Sequence, residues 1–172
     1  MNRQFLCRDG ERTASWAAIA GTMIAGAMIA GVTSAWGPVA MAADSVPAGV
    51  SNQQRAWQNW TLNCQGCHRP DGSGSAGTAP PLAGTVSKFL NVPGGREYLG
   101  RVPGVATSPL SSADLADLMN WMFWRFDKEH LPADFKPFTA EEIARLRTSP
   151  LRLEAAPMRA ALLQKADAAA AE

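Results

Sequence analysis

From residue 51 onward the apolar positions recur at helical spacing, and no stretch alternates with period two. In NQQRAWQNWTLNC, Ala56, Trp60 and Asn63 fall at i, i+4 and i+7, which predicts a helix with Trp60 facing inward. Ser51 is the expected N-cap, and Trp57 shares the Trp60 face. The clearest stripe is Leu115, Leu118, Met119, Met122 and Phe126, widened by Trp121 and Trp124. Ser111 caps that helix, with Asp114 at its third position as a capping-box partner. Between the two helices, RPDGSGSAGTAPPLAG (residues 69–84) reads as turns, because repeated Gly and Pro forbid a long regular element. TVSKFLNV predicts a short helix, PGGREYLGRV a helical restart after Gly94-Gly95, and PGVATSPL another loop. Beyond Asp127, DKEHLPADFKPF reads as extended and proline-broken. Thr139 with Glu142 forms a second capping box, opening a helix to about Arg147. A last helix is expected from Pro157, its first residue, toward Ala166, before a frayed AAAAE end. With no strand signal, the fold class is all-α.

The N-terminal segment departs from this pattern. Arg3, Arg8 and Arg12 precede an apolar run from Trp16 to Ala35, and Ala40-Met41-Ala42 fits a small-x-small cleavage site. Residues 1–42 therefore read as a cleaved secretory signal peptide and 43–50 as a linker. The competing reading is an uncleaved membrane anchor, since the run is long enough to span but rich in Gly and Ala. No arginine pair is present, which favours the general secretory route over the twin-arginine one. The expected location is periplasmic, with membrane attachment only if the segment stays uncleaved. Cleavage removes three basic and two acidic residues and takes the net charge from +1 to zero. Neither value suggests a nucleic-acid partner.

Cleavage also removes Cys7, leaving Cys64 and Cys67 of the three cysteines. A disulfide between these two would close a very tight ring and stabilise little. They sit in CQGCH, with His68 next in line. That spacing fits covalent attachment of a c-type haem. At a helix end, the three-residue offset brings both sulfurs to one side, where they can add to two vinyl groups of one haem. His68 then offers a ring nitrogen to the iron. A structural zinc site wants about four ligands, and three adjacent ones would be strained. A thioredoxin-like dithiol needs a βαβ context, and no strand precedes Cys64.

Residues 60–84, WTLNCQGCHRPDGSGSAGTAPPLAG, resemble a class I c-type cytochrome. The matching features are Trp60 four residues before Cys64, the glycines at 72, 74 and 77, the Pro80-x-Leu82-x-Gly84 element, and the aromatic-rich helix over 112–126. The resemblance covers roughly residues 50–127 and is looser after Gly84. It implies a cytochrome c-like helical domain over 51–127 around one covalent haem, followed by a C-terminal helical extension over 128–172. By resemblance, the Pro80 carbonyl accepts a hydrogen bond from the far ring nitrogen of His68, which fixes the tautomer and strengthens the imidazole as an iron ligand. Leu82 packs on the haem, and Trp60 packs between helices against the Met119 and Trp121 region. Arg96 and Arg101 are candidates to pair with haem propionates.

The family usually supplies a methionine as sixth iron ligand from the loop before its last helix. Here that loop, RVPGVATSPLSS, contains none. Without an axial sulfur the potential should be lower, because Met/His ligation raises it. Met119, Met122, His130 and Met158 are the candidates, with Met122 and His130 level and an open or water-filled site beside them. The leading functional reading is a periplasmic monohaem electron carrier, not an enzyme. Its redox partner would be a protein such as a periplasmic dehydrogenase or a terminal oxidase. The second half loosely resembles small cytochromes associated with periplasmic dehydrogenases. Two alternatives follow from the missing methionine and the long C-terminus: a haem enzyme or gas-binding protein, and a haem subunit of a dehydrogenase complex.

Overall fold

The computed structural model describes residues 46–171, so the signal segment and the first linker residues lie outside the described residues. Among the described residues there are α-helices and two short 3-10 turns, with one isolated bridge between Ser75 and Ala79 in place of any strand. The all-α expectation holds. No helix among the described residues is long and apolar enough to cross a membrane.

Helix α1 spans Gln53–Asn63. Its cap is Asn52, whose side chain accepts from the Arg55 N–H at 2.9 Å, and not Ser51. Ser51 is recruited elsewhere: its N–H donates to the Asp117 carboxylate at 3.1 Å, and its hydroxyl donates to the same group. Ala56 and Trp60 face inward, but Asn63 is exposed and bonds the Asn59 carbonyl, and Trp57 is 48% exposed. A one-turn helix, α2 (Gln65–His68), follows directly.

The next segment carries a 3-10 turn over Val86–Asn91, then α3 (Gly95–Arg101) and α4 (Pro103–Ala106). Helix α4 falls where the sequence predicts only loop. Proline at its first position loses no hydrogen bond there, since that N–H has no intrahelical partner.

Helix α5 (Ser112–Asp127) crosses α1. The whole predicted stripe is buried, Trp121 with it, while Trp124 is half-buried. Ser111 caps the helix by accepting from the Asp114 N–H at 3.1 Å. Asp114 does not close a capping box onto the backbone. Its carboxylate instead accepts from Arg55 at 2.5 and 3.0 Å, which ties α5 to α1.

Beyond Asp127, Lys128–His130 makes the second 3-10 turn, and α6 (Ala140–Leu146) and α7 (Ala155–Ala169) follow. Thr139 caps α6, accepting from the Glu142 N–H at 3.2 Å. Helix α7 begins two residues before Pro157, which is tolerated because first-turn amides need no intrahelical acceptor. Phe138, Ile143, Leu146, Leu151, Leu162 and Ala166 are all buried in the same apolar core as α1 and α5.

Polar contacts reinforce this docking. The Asn120 amide, 1% exposed, donates to the Gly49 and Phe138 carbonyls at 2.9 and 3.0 Å and accepts from the Phe138 N–H at 2.8 Å. Replacing Asn120 by Ala strands both buried Phe138 backbone groups and removes the bond to the Gly49 carbonyl. It should cost about 3 kcal/mol, read as a lowered midpoint in chemical denaturation. Arg96 is paired with both Glu142 oxygens at 2.6 Å and stacks over Phe138 at 3.9 Å. Arg101 donates to the Ser149 carbonyl at 2.8 Å. Both arginines, named as candidates for haem propionates, are thus bonded to the C-terminal segment.

Candidate functional site

The site is built on the junction of α1 and α2. The Cys64 N–H closes the last turn of α1 onto the Trp60 carbonyl at 2.9 Å. The Cys64 carbonyl then accepts from the Cys67 and His68 N–H groups at 3.2 and 3.0 Å. One tight turn therefore gathers Cys64, Cys67 and His68. The thiols are not bonded to each other; Cys64 is half-buried and Cys67 exposed.

Burial, and secondarily the neighbouring Cys67, pushes the Cys64 thiol up to about 11. A thiol that far above its ordinary range stays protonated at neutral pH. Among the described residues no group of three or more His, Cys, Asp or Glu is arranged to hold a metal ion by itself.

His68 is half-buried, and Pro80 holds its ring. Its Nδ1 lies 3.0 Å from the Pro80 carbonyl oxygen. A carbonyl only accepts, so Nδ1 carries the proton and Nε2 keeps a free lone pair. Burial lowers the His68 pKa, with the Pro80 hydrogen bond opposing it, so the ring is neutral at pH 7. A neutral imidazole with its distal nitrogen anchored is the usual form of a metal-ligating histidine.

The loop that presents Pro80 is folded back by its own backbone. Gly74 N–H donates to the His68 carbonyl at 3.0 Å, and the Ser75 hydroxyl to the Cys67 carbonyl at 2.8 Å. Leu82 and Ala83 N–H groups both donate to the Gly72 carbonyl, at 2.8 and 3.1 Å. Two glycines permit this. A Cβ on Gly74 would lie 2.6 Å from the Ala79 oxygen and 2.7 Å from the Pro80 carbonyl carbon, and one on Gly72 would lie 2.7 Å from the Phe126 ring. Both also sit at positive φ. Gly74→Ala should therefore displace Pro80 and release His68, seen as a lost Nδ1–H signal in proton NMR.

Behind the turn, Trp60 is 1% exposed, with its ring centroid 4.6 Å from Phe126, 6.1 Å from His68 and 6.2 Å from Trp121. Its nearest aromatic partner is Phe126, which sequence spacing places on the stripe but does not pair with Trp60. Leu82 is half-buried against the same core.

The four candidate sixth ligands are spread over the fold. Met119 and Met122 are buried within the α5 stripe, and Met158 packs partly buried on the core. His130 bonds through Nδ1 to Asp127 at 2.5 Å. Asp127, which the sequence reading misses, is buried and also accepts from the Ser87 N–H at 2.7 Å. A lone acid at a helix end carries no local sign of such a role.

Taken as chemistry, the turn offers two mutually unbonded thiols and one imidazole nitrogen. That donor set fits a group making two thioether bonds and one metal–nitrogen bond, as a c-type haem does. No protein-family model matches the chain. Among curated proteins, cytochrome c-552 of Thermus thermophilus is 36% identical over 106 residues, spanning 51% of this chain and 81% of that protein. A second cytochrome c-552 of the same species is 36% identical over 106 residues and is covered over 72% of its length.

Proposed function

The chain belongs to the c-type cytochromes, and from that premise we propose that it is a periplasmic electron carrier with one haem held covalently by Cys64 and Cys67. The observation that carries the reading is the His68–Pro80 hydrogen bond at 3.0 Å, which leaves Nε2 free beside two unbonded thiols. When bound, the haem supplies one-electron chemistry between ferric and ferrous iron. The protein residues do the rest. Cys64 and Cys67 anchor the group at two points, and the rigid α1–α2 junction fixes their spacing. His68 donates Nε2, with Pro80 holding the tautomer and making the ring a stronger donor. Trp60 and Phe126 keep water from the buried side of the turn. Leu82 supplies an apolar contact beside Pro80. The electron donor and acceptor would be redox proteins such as a periplasmic dehydrogenase or a terminal oxidase.

A second reading is supported by one feature, the absence of methionine between Arg101 and Ser111. Arg147 binds that segment through its backbone, donating to the Leu110 carbonyl at 2.8 Å, the Ala106 carbonyl at 3.3 Å and the Ser108 carbonyl. An iron without a sixth protein ligand would bind small molecules. Optical spectra of the purified protein, ferric and ferrous, with and without carbon monoxide, separate the two. A low-spin spectrum indifferent to carbon monoxide supports the carrier, and the sulfur-to-iron band distinguishes a methionine from His130. A high-spin ferric form whose ferrous state takes up carbon monoxide supports the open site.

A further inference from the structure

Away from the Cys64–His68 turn, a groove of about 1130 Å³ opens between α1 and the C-terminal half of α5. None of Cys64, Cys67 and His68 lines it. Its walls mix aromatic and polar groups: Trp57 and Trp124 are partly open to solvent, with Trp121 and Phe126 buried behind them and Gln53 and Gln54 alongside. Gly84 completes one wall, and a Cβ added there would meet nothing within 4 Å.

The rim has a sign. Arg125, Lys128 and Glu129 border the groove, and neither cation makes an ion pair among the described residues. Asp127 also borders it, but that carboxylate is 1% exposed and bonded to His130 and the Ser87 N–H. Two cations without ion pairs, Lys128 and Arg125 (whose guanidinium lies 5.4 Å from the Phe126 ring centroid), therefore stand beside the rim's one carboxylate unpaired among the described residues, Glu129.

We propose that this groove binds a planar aromatic anion, stacked on Trp57 and Trp124 with its charged substituent toward Arg125 and Lys128. Indole faces favour flat rings in offset or edge contact. Guanidinium and ammonium groups hold a sulfonate or carboxylate by charge-assisted hydrogen bonds. The groove is large enough for a small flat ligand, and its lining is about equally apolar and polar. A ligand seated there adjoins Trp121 and Phe126, the two rings that touch Trp60 at 6.2 and 4.6 Å, and Trp60 in turn lies 6.1 Å from His68. A sulfonated quinone, flat and anionic, has the chemistry of this ligand class. The inference concerns binding alone and holds whatever the Cys64–His68 turn carries.

The test is calorimetric titration of the purified protein with anthraquinone-2,6-disulfonate. Saturable binding is expected with a dissociation constant on the order of 100 μM or below. Trp57→Ala and Trp124→Ala should each weaken it about tenfold, and Trp57→Phe much less. Arg125→Gln with Lys128→Gln should weaken it about tenfold and flatten its salt dependence. Trp57 is 48% exposed, so its replacement leaves the core intact, and circular dichroism checks the fold of every variant. Absence of saturation at about 1 mM probe, or an affinity that neither Trp→Ala change alters, overturns the site.

Discussion

A Cys64→Ser, Cys67→Ser double variant is expected to lose all covalently attached pigment, and the parent protein is expected to keep its haem through denaturation. Cys67 is exposed and Cys64 half-buried, so neither substitution opens a large cavity. The helical turn they occupy is held by backbone bonds from Cys64 to Cys67 and His68, which Ser preserves. A folded apoprotein or a loosely bound haem should result. Each single variant should keep one thioether, with a shifted alkaline pyridine haemochrome band. Haem staining of a denaturing gel reads the first outcome and the haemochrome spectrum the second. Thiol titration of the parent protein is the sharper check. Attachment consumes both sulfurs, so a parent with Cys64 and Cys67 both freely titratable would sink the reading.

The parts of this site that sequence shows best are those whose cause is local. The three-residue cysteine offset, the α5 stripe and the Ser111 and Thr139 caps depend on neighbours within one or two helical turns. The His68–Pro80 pairing spans twelve residues through a glycine-rich loop. Periodicity says nothing of such a contact, and only the family resemblance suggests it. Side chains with distant partners escape both. Ser51 yields its capping role to Asn52 because Asp117 lies within reach of it. Arg96 and Arg101 look free for an anionic cofactor until α6 and the Ser149 turn fold against them. The Asp127–Ser87 contact and the Arg147 contacts carry no signal, since these partners lie about 40 residues apart.

Those distant contacts bear on the role of the C-terminal segment, which by sequence is either a docking arm or a part of its own domain. Removing residues 128–172 is expected to abolish cooperative folding and not to release a working carrier. The segment contributes Phe138, Ile143, Leu146, Leu151 and Leu162 to the core, none more than 6% exposed. At about 1.5–3 kcal/mol for each buried side chain, their loss amounts to roughly 7–15 kcal/mol before the chain entropy regained is counted. A domain's whole stability is about 5–15 kcal/mol, so no reserve covers a loss of that order. Truncation also leaves the Asn120 amide only its Gly49 bond and uncovers the part of α5 that α6 packs against. A graded version is Ile143→Ala, at a position with 0% exposure, which should cost about 2–5 kcal/mol through the cavity it leaves. Chemical denaturation followed by near-ultraviolet circular dichroism measures both. If the truncated chain stays soluble, unfolds in one sharp transition and keeps the parent haem spectrum, the segment is a separable arm and its burial contributes little to the core. A broad transition or aggregation, with Ile143→Ala lying between it and the parent, makes the last 45 residues part of the fold that holds the Cys64–His68 turn.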